Sequence, residues 1–330
     1  MNQVAATDPT RKHEHLPRLA HLPIAFFSII MGLAGLTLGW DKAAVILGKP
    51  LYIGDILAIV TPIVFLVVAT LYLSKRLKYP QAVKADLGHP IKLAFFPAIS
   101  ISLLLIATTL VHRLPAIAEV IWMVGAALHL VLTLYVISSW MHHPHYKVQH
   151  MSPAWFIPAV GNVLVPVAGV ALGYSHISWF FFSIGMMFWV ILFTIVFYRV
   201  LFHDPLPARM IPTFFILIAP PAVGFIAYTR LAENFDSFSH FLYYAALFLT
   251  LLLFVQVRMF TRLQFFLSWW AYSFPLAAMT LATFLMYEID GSAFFMYLGF
   301  SLLIILTAVI VLLLVKTLNA IRQKAICVED

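Results

Sequence analysis

Charge is scarce in this sequence. Asp, Glu, Lys and Arg make up 10% of its 330 residues and apolar residues 63%, whereas a soluble domain carries about 25% charged residues. A single hydrophobic core stops growing at roughly 250–300 residues. A soluble chain of this length would still need a broad charged surface, which these residues cannot furnish, so lipid must bathe most of the outside. Cysteine is nearly missing too. Cys327 stands alone, which excludes an internal disulfide and leaves the redox compartment open. Residues 1–20 are polar (Asp8, Arg11, Lys12, Glu14, Arg18) and hold no apolar stretch of the signal-peptide kind. The first apolar segment, after His21, therefore reads as a retained helix. No phosphate loop, paired metal ligands or nucleophile elbow occurs.

What is present is a series of long apolar runs. Ile91 to Val111 and Phe241 to Val257 hold at most one charged residue each. Crossing roughly 30 Å of hydrocarbon takes about 20 apolar residues in a helix. Barrel strands would alternate in polarity over about 10 residues, and these runs do not. The sequence predicts ten spans, at 21–40, 53–74, 91–112, 115–140, 153–174, 177–202, 209–229, 238–260, 267–287 and 293–316. Short connections such as Gly173 to Ile177 imply antiparallel hairpins. The fold class is thus all-α integral membrane, with tails at 1–20 and 317–330 around a domain at 21–316. Lys and Arg divide 16 to 4 between the two sides, which places both termini in the cytoplasm. The same split reads the net charge of +7 as orientation, not nucleic-acid binding. The short tails set a bacterial inner membrane as the default expectation.

Proline is distributed unevenly. It lies in all five odd spans: Pro23, Pro97, Pro158 and Pro166, Pro212, Pro220 and Pro221, and Pro275. The even spans hold only Pro62 and Pro115, and Pro115 sits at a helix start, where proline is tolerated. Interior proline removes a backbone hydrogen bond and kinks the helix. In lipid the freed carbonyls need a neighbour or a watery cavity. The odd spans are therefore expected inside and the even spans outside, as five helical hairpins in quasi-fivefold array around a central pore. The alternative is that proline is simply frequent in membrane helices.

The odd spans carry no ionisable residue in their interiors. Their polar content is Ser28, Thr37, Ser100, Ser102, Thr108, Thr109, Asn162, Thr213, Ser268, Ser273 and Thr280. Pumps and proton-coupled carriers place ionisable groups at membrane depth, and a tightly held dicarboxylate would call for an arginine fork. A neutral, hydroxyl-lined path suits weak contact with a small anion passing through. The favoured function is a passive channel for chloride- or nitrate-like anions. A second reading is a carrier for C4-dicarboxylates such as malate, or for a weak acid such as sulfite, with or without proton coupling. A third, of another class, is a metal enzyme or sensor built on His142, His143, His145 and His150. These histidines lie in a loop without a nearby Cys or carboxylate, so solvated side chains are the plainer reading. His129 in the fourth span reads as a hydrogen-bonded packing residue, and Glu119 as interfacial. No enzyme activity, metal or cofactor is expected.

Several segments resemble one family. They are Leu22-Pro23-Ile24-Ala25-Phe26-Phe27-Ser28-Ile29-Ile30-Met31-Gly32-Leu33, His89-Pro90-Ile91-Lys92 with Phe95-Phe96, Ala118-Glu119-Val120-Ile121-Trp122, Phe156-Ile157-Pro158-Ala159-Val160, Ala219-Pro220-Pro221-Ala222 and Trp270-Ala271-Tyr272-Ser273-Phe274-Pro275. Their order and spacing resemble the tellurite-resistance/dicarboxylate transporter family, which embraces TehA and the plant slow-type anion channels. The resemblance implies ten helices in five hairpins, a pore lined by the odd helices, and a homotrimer with one pore per subunit. It also implies an occluding phenylalanine on the ninth span, which Phe274 matches; from the residues alone Phe274 reads as packing. Candidate pore-kink or pore-lining residues are Pro23, Phe27, Phe96, Pro158, Thr213, Pro220 and Pro275. Candidate cations at the pore mouth are Lys92, Arg209 and Arg262. The expected partners are small anions and the bilayer.

Overall fold

The computed structural model describes residues 17–142 and 146–328. Among them there is no strand, and eight helices are long and apolar enough to cross a membrane: Ile24–Leu47, Tyr52–Lys78, Lys92–Leu110, Pro115–His142, Ser175–Phe202, Ala208–Ala232, Ser237–Val255 and Ala293–Arg322. The remaining two expected spans take another form. The fifth is a chain of short helical pieces over Pro153–Gly169. The ninth is a tight 3-10 stretch, Leu267–Tyr272, followed by an α-helix, Ser273–Asp290. A short helix not read from the sequence, Pro80–Gly88, opens on proline and lies between the second and third spans.

The prolines set the local structure. Every odd span contains 3-10 turns: Ile24–Phe26, Lys92–Phe95, Pro153–Trp155 with Gly161–Leu164, Ala208–Ile218, and Leu267–Tyr272. A proline ring collides with the carbonyl four residues back and offers no N–H, so the chain closes tighter turns instead. Runs of 3-10 helix beyond 3–4 residues are uncommon, yet Ala208–Ile218 covers 11 residues. The even spans are unbroken for 27 to 30 residues, apart from the 19-residue Ser237–Val255. Pro62 is absorbed inside its helix.

Burial divides along the same line. In the odd spans Ile24–Leu47, Lys92–Leu110 and Ala208–Ala232, 72–89% of the apolar window is buried; in the five even helices the share is 22–39%. The first odd span packs on the third and the ninth, the third on the fifth, the fifth on the seventh, and the seventh on the ninth. These contacts close on themselves. Each even helix packs against the odd partner of its own hairpin. Two glycines bring the first span hard against the ninth. A Cβ at Gly32 would lie 2.4 Å from Ser273 Oγ, and one at Gly35 would lie 2.5 Å from Ala277 Cβ.

The odd helices also run further than the hydropathy suggests. Ile24–Leu47 takes in Asp41 and Lys42, Ala208–Ala232 takes in Arg230, and Ser273–Asp290 takes in Glu288. Charge ends an apolar run, but it does not end a helix. The first span stops instead at Gly48, with φ 61°, and the ninth at Gly291, with φ 74°, a left-handed turn that glycine adopts freely.

Candidate pore and its two ends

Five segments that each break their α-helix around proline enclose a space between them. The resulting cavity measures about 60 Å³, room for a few water molecules. All five odd spans line it and no even span does, with Ser28, Phe95, Phe156, Pro220 and Phe274 among the residues they contribute. Phe274 faces this cavity from the first turn of its α-helix and is 8% exposed. Pro275 beside it and Pro220 of the neighbouring seventh span also line the space. The wall is almost wholly hydrocarbon, with the Ser28 hydroxyl as its polar exception among side chains.

Other expected residues lie elsewhere. Phe27 turns outward, edge-on to Phe65 and Tyr72 of the second span, with ring centroids 5.8 and 6.2 Å apart. Phe96 meets the same Tyr72 at 6.2 Å. Both rings fill the seam between inner and outer helices. Pro23 lines a separate cavity at the basic end. The Pro158 carbonyl accepts a hydrogen bond from Thr133 Oγ1 at 2.7 Å.

Of the hydroxyl and amide side chains expected along the path, Ser28 lines the central cavity. Thr37, Ser100, Ser102, Thr108, Thr109, Asn162, Thr213, Ser268, Ser273 and Thr280 all donate to backbone carbonyls at 2.6–2.8 Å. Thr213, for example, bonds the Met210 carbonyl within its 3-10 stretch. Most of these bonds run back three or four residues along the same span, a common habit of Ser and Thr in helices. The wall of the central cavity is therefore greasier than the composition of the spans suggests.

At the basic end, Lys75 reaches from the second span beneath the first. Its Nζ donates to the Leu22 carbonyl at 2.9 Å and pairs with Asp86 at 2.5 Å, and it is 2% exposed. Asp86, from the short Pro80–Gly88 helix, also meets Lys92 at 3.5 Å. Lys92 is thus held beside a carboxylate. Arg209 and Arg262 are exposed at this end, and the Arg209 carbonyl accepts from Ser268. A cavity of about 360 Å³ lies here, bounded by Leu22, Lys75, Asp86 and the tail residues Ala325 to Val328. Arg18 donates to the Ile326 carbonyl at 3.1 Å. Burial raises the Cys327 thiol pKa, against the pull of Arg18 and Lys75.

The far end is also charged, although from the sequence Lys42, Arg113 and Arg230 read only as minority cations that set orientation. A cavity of about 220 Å³ again takes residues from all five odd spans, further along each: Asp41 and Lys42, Thr108 to Arg113, Val167, Ile226 and Arg230, and Leu281 and Leu285. Arg113 grips Asp41 with two bonds of 2.8 and 2.9 Å and also meets Asp55 at 2.6 Å. These carboxylates, Asp41 first, raise its already high pKa. Lys42 pairs with Glu288 at 2.5 Å. Arg230 donates to the Val167 carbonyl of the neighbouring span. The signal that could have found this set was the lone cation one or two residues past the end of the first, third and seventh spans: Lys42, Arg113 and Arg230.

Of the histidine loop, His143 and His145 lie outside the described residues. His142 Nδ1 sits 2.8 Å from the Ser138 carbonyl, and His150 Nδ1 accepts from the Lys147 amide at 3.2 Å. His129 is buried in the fourth span with Nδ1 2.8 Å from Ser100 Oγ. Glu119 accepts from Tyr174, whose pKa it raises.

A family model described as voltage-dependent anion channel, SLAC1, matches residues 21–318. Among curated proteins, the S-type anion channel SLAH3 of Arabidopsis thaliana is 29% identical over 312 residues, covering 92% of this chain and 49% of the relative. The S-type anion channel SLAH2 of the same plant is 29% identical over 274 residues, 81% of this chain and 53% of the relative. The chain thus spans about half the length of these plant relatives. The tellurite resistance protein TehA homolog of Haemophilus influenzae is 28% identical over 263 residues, 78% of this chain and 79% of the relative.

Proposed function

The chain belongs to the voltage-dependent anion channel family, and from that premise we propose that it conducts small anions passively through the ring of odd helices, with Phe274 as the gate. The observation that carries this reading is the central cavity, which takes its wall from all five odd spans and has Phe274 in that wall. In quasi-fivefold array the five hairpins leave one axial route per chain. The Phe274 ring narrows it, and a rotamer change of that side chain widens it. Selectivity then rests on the cost of stripping water from the anion, since the wall offers few donors. This favours weakly hydrated anions such as nitrate over malate or sulfite. Lys92, Arg209 and Arg262 place positive charge at the basic, cytoplasmic end and draw anions to the entrance. The relatives named as S-type anion channels support the cargo class. A homotrimer, one pore per subunit, is the assembly proposed.

The test is current through purified protein in a planar bilayer. Phe274→Ala should raise anion conductance at least about tenfold, equivalent to ~1.4 kcal/mol of barrier. Wild-type current from folded Phe274→Ala protein rejects the gate. Saturable malate uptake that follows a pH gradient, with no accompanying current, rejects the channel in favour of a carrier.

A further inference from the structure

The far-end cavity is lined by His112 and by three Lys and Arg side chains, two of which are neutralised. Arg113 is locked to Asp41 and Asp55, and Lys42 to Glu288. Among the described residues, Arg230 has no carboxylate in ion-pair contact; its guanidinium is tied only to the Val167 carbonyl. A guanidinium carries five N–H donors, so the remaining ones are left for the cavity that Arg230 lines. We infer that this cavity is a docking site for one small singly charged anion, with Arg230 as its ligand, and that it is the station at the far end of the route. The inference rests on the channel reading and adds to it a site and a charge preference.

The position fits the role. The central cavity and this one draw on the same five spans in the same order, the second always further along each chain. About 220 Å³ leaves an anion several of its waters, at roughly 10–15 Å³ of such space per water, so it can be held without full dehydration. The attraction is modest because the surrounding ion pairs cancel. Modest attraction is what conduction requires, since a tight site would trap the ion. The same ion pairs set the preference for single charge. A dicarboxylate docked on Arg230 would bring its second carboxylate toward Asp41, and Glu288 is felt at Arg230 at longer range. Like charges facing each other in a narrow cavity repel strongly.

The experiment uses the full chain in planar bilayers, opened by Phe274→Ala, with conductance measured against chloride and nitrate concentration. Adding Arg230→Gln should raise the half-saturating concentration about fivefold at low ionic strength, with the difference closing as salt screens the charge. Arg230→Lys should recover most of the loss. A second route places the charge on already folded protein. In an Arg230→Cys, Cys327→Ser background, a cationic methanethiosulfonate should lower the half-saturating concentration and an anionic one should raise it. Superimposable curves for Arg230→Gln and its parent, or indifference to both reagents, overturn the docking site while leaving the channel standing. Absence of current from every variant, with folding confirmed, overturns the channel reading and this inference with it.

Discussion

The inner and outer helices solve opposite problems with the same residue alphabet. The outer five are unbroken, keep their backbone bonds to themselves and leave most of their surface to lipid. The inner five are interrupted, nearly fully buried and dependent on neighbours. That dependence is visible atom by atom. Thr133 of the fourth span donates to the Pro158 carbonyl, and Trp122 Nε1 to the Val165 carbonyl at 2.9 Å. Trp270 Nε1 donates to Thr317 Oγ1 of the tenth span at 3.0 Å, and Tyr243 of the eighth donates to Thr283 of the ninth at 3.3 Å. A bent helix cannot face lipid because its freed carbonyls would cost several kcal/mol each. Enclosing it in straight helices that carry a few donors removes that cost. The bends then frame the small central cavity that the five spans line.

The contrast breaks first at the aromatic rings. Phe27 and Phe274 are both buried phenylalanines on inner spans, but one fills the seam to the second span and the other faces the cavity. Phe27→Ala should destabilise the protein by about 3–5 kcal/mol, the usual range for emptying a core phenylalanine site. It should bring no gain of current. Thermal unfolding in detergent, read by size-exclusion of the surviving fraction, gives the first quantity and bilayer recording the second. An open pore in Phe27→Ala would mean that the ring faces the route after all.

Next in size is the tie between an outer helix and the start of an inner one. Lys75 is 2% exposed and its charge is met by Asp86. Asp86→Asn leaves a buried ammonium without its carboxylate, at about 3 kcal/mol. Replacing Lys75 and Asp86 together by Met and Asn should recover part of that loss. A double mutant no better than Asp86→Asn would show that the helix, not the charge, needs the aspartate.

Smaller still is the approach of the first span to the ninth. A side chain at Gly32 collides with Ser273 and comes within 3.1 Å of Trp270. Gly32→Val should cost about 2 kcal/mol through overpacking. It should also change conductance, because the displaced turn carries Phe274. A stability loss with wild-type current would separate the two roles.

The inner–outer division was legible in the prolines, since a bent helix has few places to go in a membrane. Three things were not legible. The side of an inner helix that faces the axis has no periodic signature when all sides are buried, so Phe27 and Phe96 looked as much like lumen residues as Phe274 did. A serine or threonine can face a cavity or bond its own carbonyl three or four residues back, and the choice is made by the bend. Arg230 lay just past the end of an apolar run, where hydropathy stops but the helix continues. Phe274 itself stood out only through resemblance to a family.

The finest test of the division compares two threonines of even spans. Thr133 is 2% exposed and spends its hydroxyl on the inner Pro158 carbonyl, while accepting from Asn162 Nδ2 at 3.2 Å. Thr194 is exposed and bonds the Val190 carbonyl of its own helix at 2.9 Å. Valine has nearly the same shape, so Thr→Val at either site removes a hydroxyl and little else. At Thr133 the loss falls on a carbonyl of a broken helix, which also accepts from Asn162 Nδ2 at 3.4 Å, and the net cost should be about 1 kcal/mol. At Thr194 the Val190 carbonyl keeps its place in an intact helical ladder, and the change should stay within ~0.5 kcal/mol. Equal unfolding midpoints for the two variants would mean that the inner helices hold their bends unaided. The outer shell would then be a lipid-facing wrapper with no part in shaping the route.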